Sequence, residues 1–170
     1  MADVEHEIAL EETDRIHGHT ALVRNVAAAV SLSNAVRSTL GPRGLDKMLV
    51  DESGEATVTN DGVTVLETAR VEHPTANLLI ASSSSQDKSA RDGTTTTVIL
   101  MAEMLQNALE LVRAGVHPSI TIDWYAIANQ KAMKELDLMA RIADSKELKR
   151  SVVSTSLQGK IDSLLSSHLT

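Results

Sequence analysis

The chain has 170 residues and a formal net charge of −7, with 42% hydrophobic and 23% charged residues, no Cys, no Phe, one Trp and one Tyr. That suffices for one domain with a real core, built from Ala, Val, Leu, Ile and Met, and excludes wholesale disorder, disulfides and thiolate metal sites. The negative balance argues against nucleic acid as a partner, and no run of about 18 apolar residues is present to cross a membrane.

The start, Met1-Ala2-Asp3-Val4-Glu5, is acidic and lacks the apolar core of a signal peptide, so a soluble cytoplasmic protein is expected. Residues 1 to about 14 read as a polar arm. From Asp14 a helix is predicted, with Val23, Val26, Val30, Val36 and Leu40 at helical spacing and Ala27, Ala28 and Ala29 allowing close packing. It should stop at Gly41-Pro42, since proline cannot continue it and glycine accepts a left-handed cap. Gly41-Pro42-Arg43-Gly44 then forms a tight turn, either a plain connection or a source of backbone N–H groups for a ligand.

Lys47-Met48-Leu49-Val50-Asp51 and Ala56-Thr57-Val58-Thr59 pair as a hairpin across the loop from Glu52 to Glu55. Asn60-Asp61-Gly62 closes it, and Val63, Leu66 and Ala69 give one or two helical turns. Asp61 is either a helix cap or a carboxylate near a phosphate site, orienting metal or water. Pro74 opens a helix carrying Leu78, Leu79 and Ile80, in which Ser82 to Ser85 form a small-residue packing face. His73 and His117 each precede a proline at a helix start, a structural position.

Asp92-Gly93-Thr94-Thr95-Thr96-Thr97 leads into Val98, Ile99, Met101, Ala102, Leu105, Ala108, Leu109 and Val112, an amphipathic helix that Gly115 and Pro118 terminate. Asp92 is expected at its N-cap with threonines in the first turn. Such an end offers free N–H donors and partial positive charge to a phosphate, and Asp92 offers oxygen to a divalent cation. A cap followed by a threonine-rich turn explains the same residues. Pro118 opens a further helix with Ile120, Trp124, Ile127, Ala128, Leu136 and Met139 on one side. Asp144-Ser145 restarts another, Thr155 to Lys160 breaks it, and Ile161, Leu164, Leu165 and Leu169 make a last amphipathic piece. The total is about seven helices and one hairpin, mostly α.

No G-x-x-x-x-G-K-[ST] loop, no H-E-x-x-H pair and no nucleophile elbow occurs. The stretch from Leu40 to Asp51, LGPRGLDKMLVD, closely resembles the first signature of group II chaperonin subunits, the archaeal thermosome and eukaryotic cytosolic chaperonin. Thr59 to Leu66, TNDGVTVL, resembles the second, and Gln86-Asp87 with Asp92-Gly93-Thr94-Thr95-Thr96 the third. The resemblance runs from about residue 14 to the end.

It implies a chaperonin equatorial-domain-like helical bundle, incomplete, in an ATP-driven folding chamber of two stacked rings. Residues 1–143 would be the N-terminal half of the ATP-binding equatorial domain and 144–170 the start of the intermediate domain, with the apical domain absent. Leu40, Gly41 and Pro42 would touch ATP through backbone groups, and Gly93, Thr94, Thr95 and Thr96 would hold phosphate oxygens. Asp92 would ligate Mg2+ and Asp61 would lie near the attacking water, while Thr155 to Lys160 would contribute near the nucleotide. Partners would be other chaperonin subunits, with unfolded proteins bound only through an apical domain. The chain alone is expected to be inactive, since family subunits are several times longer and carry a second catalytic aspartate. The alternative is a non-enzymatic assembly module derived from such a subunit. The family usually has glycine where Arg91 stands. An arginine there is expected to strain the turn and to compete with metal for Asp92, unless it reaches a phosphate.

Overall fold

The computed structural model describes residues 16–41, 43–51, 53–68, 71–142 and 144–157. The elements are α1 (Gly18–Arg37), β1 (Lys47–Val50), β2 (Ala56–Thr59), α2 (Gly62–Thr68), α3 (Pro74–Ala90), α4 (Thr94–Arg113), α5 (Pro118–Met139) and α6 (Lys146–Leu157). The fold is mostly helical with one antiparallel hairpin, as expected, and the described residues hold six helices. The piece predicted over 161–169 lies outside the described residues, as does Pro42.

The central helix is α4, packed mainly against α1 and α3. Every position of its predicted stripe, from Val98 to Val112, is buried or half-buried. Val98 and Ala102 join Ala29, Leu32 and Val36 of α1, Val65 and Leu66 of α2, and Ala76 and Leu79 of α3 in one core. Removing a side chain such as Leu66 or Val98 from water contributes about 1.5–3 kcal/mol each. Small residues let the helices approach: Ala29 is fully buried, and so is Ser83 within the serine run of α3. Arg37 pairs with Glu103 across the α1–α4 seam.

The first helix ends earlier than its sequence suggests. Its last residue is Arg37, not Leu40, because Thr39 folds back: its N–H and hydroxyl both donate to the Val36 carbonyl, at 3.0 and 2.8 Å. Leu45 N–H then donates to the Ser38 carbonyl at 2.8 Å, which turns the chain out of the helix. Leu40 is therefore exposed rather than on the stripe. The helix starts at Gly18, in left-handed conformation with φ 62°, while Asp14 lies outside the described residues.

The hairpin pairs Lys47 with Thr59 and Val50 with Ala56. Asp51 organises its loop: Oδ1 accepts from Ser53 Oγ at 2.6 Å, and from the N–H groups of Ser53 and Glu55 at 2.9 Å each. The Ser53 hydroxyl, then the Glu55 N–H, hold the Asp51 carboxyl below its ordinary pKa. A depressed folded pKa means that stability is present above the unfolded value and lost as pH falls through the folded one. The Ser53 and Glu55 amide resonances should therefore shift together in acid, with a midpoint below that of an ordinary aspartate. A midpoint at or above the ordinary value would refute this loop arrangement.

Both histidines placed before prolines cap helices. His73 Nδ1 accepts from Thr75 N–H at 3.2 Å, and His117 Nδ1 from Ser119 N–H at 3.3 Å. In α5 only Thr121 is buried, and Tyr125 ties the helix to α4 by donating its hydroxyl to the Met104 carbonyl at 2.7 Å. The predicted apolar side of α5 is thus not in the core; Trp124 is 63% exposed and Met139 73%.

Candidate functional site

Three glycine-bearing turns, far apart in sequence, meet around one open cleft of about 550 Å3, within the usual size for a small-ligand site. Leu40 and Gly41 from the turn after α1 form one wall. Asp61 and Gly62 from the hairpin exit form the second, and Arg91 through Thr96 the third. Thr155 and Ser156 of α6 close the fourth side. Leu40, Gly41, Asp61, Asp92, Gly93, Thr94, Thr95 and Thr96 all line this cleft as expected, and of the stretch from Thr155 to Lys160 the first two residues do; Pro42 and residues 158–160 are outside the described residues.

The turn from α1 is built on a close approach. Gly44 N–H donates to the Gly41 carbonyl at 2.9 Å, and a Cβ at Gly44 would lie 2.2 Å from the Thr39 carbonyl oxygen. Gly41 has φ +82°, which glycine adopts without strain. Backbone groups of residues 40 and 41 are thereby presented to the cleft.

Asp61 is the N-cap of α2, one of its two readings from sequence. Oδ2 accepts from Thr64 N–H at 3.0 Å and from the Thr64 hydroxyl at 2.8 Å. Its own N–H donates to Thr59 Oγ1 at 3.1 Å, locking it to the end of β2. Capping and a cleft role are compatible here, because a carboxylate has two oxygens and Asp61 is exposed. Gly62 lets α2 and α4 meet end to end: a Cβ there would sit 2.3 Å from Thr95 Oγ1 and 3.1 Å from Thr94 Oγ1.

At α4 the structure corrects the expected cap. The N-cap is Gly93, with φ 80°, not Asp92. Arg91 is left-handed at φ 57°, the one non-glycine residue among those described with positive φ, and it closes α3 by donating its N–H to the Asp87 carbonyl at 2.8 Å. Two left-handed residues flanking Asp92 set it one position too early to cap. Its Oδ1 accepts instead from Gly93 N–H at 2.7 Å. The first intrahelical bond of α4 runs from Thr97 N–H to the Gly93 carbonyl at 2.9 Å, and no side chain caps the helix. The N–H groups of Thr94, Thr95 and Thr96 therefore precede the helical ladder, at the positive end of a helix dipole. The Thr97 hydroxyl bonds back to the Gly93 carbonyl at 2.8 Å and Ser83 Oγ donates to the Thr94 carbonyl at 3.3 Å, so the first turn is fixed.

Sequence reasoning quoted Gln86 but gave it no task. Its Nε2 donates to the Asp92 carbonyl at 3.2 Å, holding the turn that aims Asp92. Thr39 was missed altogether; the hydroxyl that ends α1 gives no motif signal. Arg91 also differs from expectation. Its guanidinium lies 4.0 Å from Asp87 and forms no ion pair with Asp92.

Among the described residues the cleft holds two carboxylates, Asp61 and Asp92, against one cation, Arg91. No cluster of three or more His, Asp or Glu suited to a bare metal ion occurs among the described residues. One exposed carboxylate beside three unladdered N–H donors fits a magnesium ion that arrives on phosphates, keeps most of its waters and takes one protein oxygen. No helix among the described residues is long and apolar enough to cross a membrane.

Residues 32–170 match the family model of the TCP-1/cpn60 chaperonin family. The chain is 43% identical over 164 residues to thermosome subunit beta of Thermoplasma acidophilum, covering 95% of this chain and 30% of that protein. It is 45% identical over 153 residues to the thermosome subunit of Methanothermococcus thermolithotrophicus, covering 88% and 28%. Against thermosome subunit 2 of Haloferax volcanii the identity is 41% over 156 residues, covering 91% and 28%. The chain thus spans about three tenths of the length of the curated relatives it matches.

Proposed function

The chain belongs to the TCP-1/cpn60 chaperonin family, and from that premise we propose that it binds magnesium-ATP in the cleft as part of a chaperonin subunit that assists protein folding. The observation that carries this reading is the convergence of residues 40–41, 61–62 and 91–96 on one cleft that contains the uncapped start of α4. On this reading residues 1–143 belong to the nucleotide-binding domain and 144–170 begin the next one, in a cytoplasmic double ring of like subunits. Unfolded proteins would be held by parts of such a subunit beyond these residues.

The roles follow from the chemistry. The N–H groups of Thr94, Thr95 and Thr96, with the hydroxyls of the same residues, take phosphate oxygens, and Gly93 allows the phosphates to approach its backbone. The backbone of Leu40 and Gly41 borders the nucleotide opposite them. Asp92 holds the magnesium ion, whose chemistry is to neutralise phosphate charge during transfer. Asp61, fixed by Thr59 and Thr64, orients the attacking water.

Calorimetric titration of the chain with magnesium-ATP tests this reading. Binding is expected, with a loss of at least tenfold in Asp92→Ala and near-complete loss in excess chelator, because two carboxylates then face bare polyphosphate. Phosphate release by the chain alone is expected to stay at the buffer level, since among the described residues lining the cleft Asp61 is the single carboxylate left for water once Asp92 holds metal. Unchanged affinity in Asp92→Ala would remove the metal role. Steady turnover abolished by that substitution would show that the chain forms a complete catalytic site. A second reading, a non-enzymatic assembly module, draws on the exposed apolar side of α5; absence of nucleotide binding together with capture by full-length chaperonin subunits would favour it.

A further inference from the structure

We propose that Arg91 makes the cleft selective for a nucleoside triphosphate over a diphosphate, by leaving Asp87 to grip the terminal phosphate. This deepens the nucleotide reading above and rests on it. Three observations converge on the residue. Among the described residues Arg91 is the one cationic side chain lining the cleft, where Asp61 and Asp92 are both negative. Its left-handed backbone is an unfavourable conformation for arginine, and such conformations persist where the surrounding structure imposes them. Its present partner holds it weakly: the guanidinium is 4.0 Å from the Asp87 carboxylate and its side chain is 83% exposed.

An exposed pair at that separation adds little, so little is lost when Arg91 leaves it. A phosphate offers more. Guanidinium and phosphate match in a planar two-pronged contact with charged hydrogen bonds on both prongs. On the nucleotide reading the N–H groups of Thr94 to Thr96 and magnesium would serve the inner phosphates, which leaves the terminal one for Arg91. A diphosphate would leave Arg91 with Asp87. Asp87 thus acts as a parking site: attractive enough to hold the guanidinium off Asp92, too weak to keep it.

The test compares magnesium-ATP and magnesium-ADP titrations for the native chain, Arg91→Gln, Arg91→Lys and Asp87→Asn. Arg91→Gln keeps a Cβ at the left-handed position and removes only the charge, so backbone strain does not confuse the result. ATP affinity is expected to fall about tenfold in Arg91→Gln while ADP affinity stays within about twofold. Arg91→Lys should recover part of the loss, a point charge replacing a fork. Asp87→Asn should tighten ATP by about two- to threefold and leave ADP alone. Equal losses for both nucleotides in Arg91→Gln, or ATP binding that is unchanged or tighter, would overturn the proposal while leaving the nucleotide site standing. If the native chain binds neither nucleotide, the site reading itself fails and this inference falls with it.

Discussion

Gly44→Ala should lower the stability of the chain by about 3 kcal/mol, a fall in Tm of roughly 10 °C for a chain of this size. The obstacle is backbone: the new Cβ would lie 2.2 Å from the Thr39 oxygen and 2.6 Å from its carbonyl carbon. A flexible side chain could swing away, but Thr39 cannot, because its N–H and hydroxyl both end α1 on Val36. Gly41→Ala makes the control. Its φ of +82° disfavours alanine, yet no atom lies within 4 Å of the added carbon, so about 1 kcal/mol is expected. Thermal unfolding followed by circular dichroism ranks the two. If Gly41→Ala does more damage, close approach is not what fixes this turn. Since Thr39, Leu40 and Gly41 line the cleft, Gly44→Ala should also weaken magnesium-ATP several-fold if the proposed nucleotide site holds.

The second large effect concerns association. Ile120, Trp124, Ile127, Leu136 and Met139 repeat along α5 and are between 42% and 73% exposed. Ile122, Met133 and Leu138 add exposed apolar surface on the same helix. Patches of this kind are rarely left open to water in solution. The chain on its own should therefore self-associate, with a scattering mass at least double that of one copy and rising with concentration, and it should bind a hydrophobic dye. Trp124→Gln with Leu136→Gln should reverse most of both effects without loss of helicity, since neither side chain is in the core. A monodisperse monomer that ignores the dye would contradict the prediction.

Much of the fold was legible because its signals are local. Alternating residues with a four-residue loop gave the hairpin, and prolines after His73 and His117 gave the starts of α3 and α5. The stripe from Val98 to Val112 gave α4 its buried side. What failed was also local, but physical rather than periodic. Arginine seldom takes a left-handed backbone; the glycine usual at position 91 in the family pointed to strain in this turn, but not to its consequence, which is that the cap moves from Asp92 to Gly93. Likewise Leu40 kept the helical spacing, yet the Thr39 hydroxyl ended α1 before it. Periodicity alone did not reveal that the apolar side of α5 lies outside the core, because burial depends on which neighbour is present. The grouping of the cleft residues came from three ordered motifs; spacing alone could not have brought Gly41, Asp61 and Asp92 together.

One face of the hairpin is open, with Met48, Val50 and Val58 all well exposed, while Leu49 packs against the helical core and the chain at both strand roots leads into the cleft walls. Only Leu45 and Asp46 separate Gly44 from β1, and only Asn60 separates β2 from Asp61, whose N–H is tied to Thr59. The two strand roots are therefore joined to the cleft by short connections, so a displacement of the hairpin as a unit would be passed to residues 40–41 and Asp61 together. By linkage, if a ligand in the cleft shifted those two walls and a partner gripped the hairpin, each would change the other's affinity by the same factor.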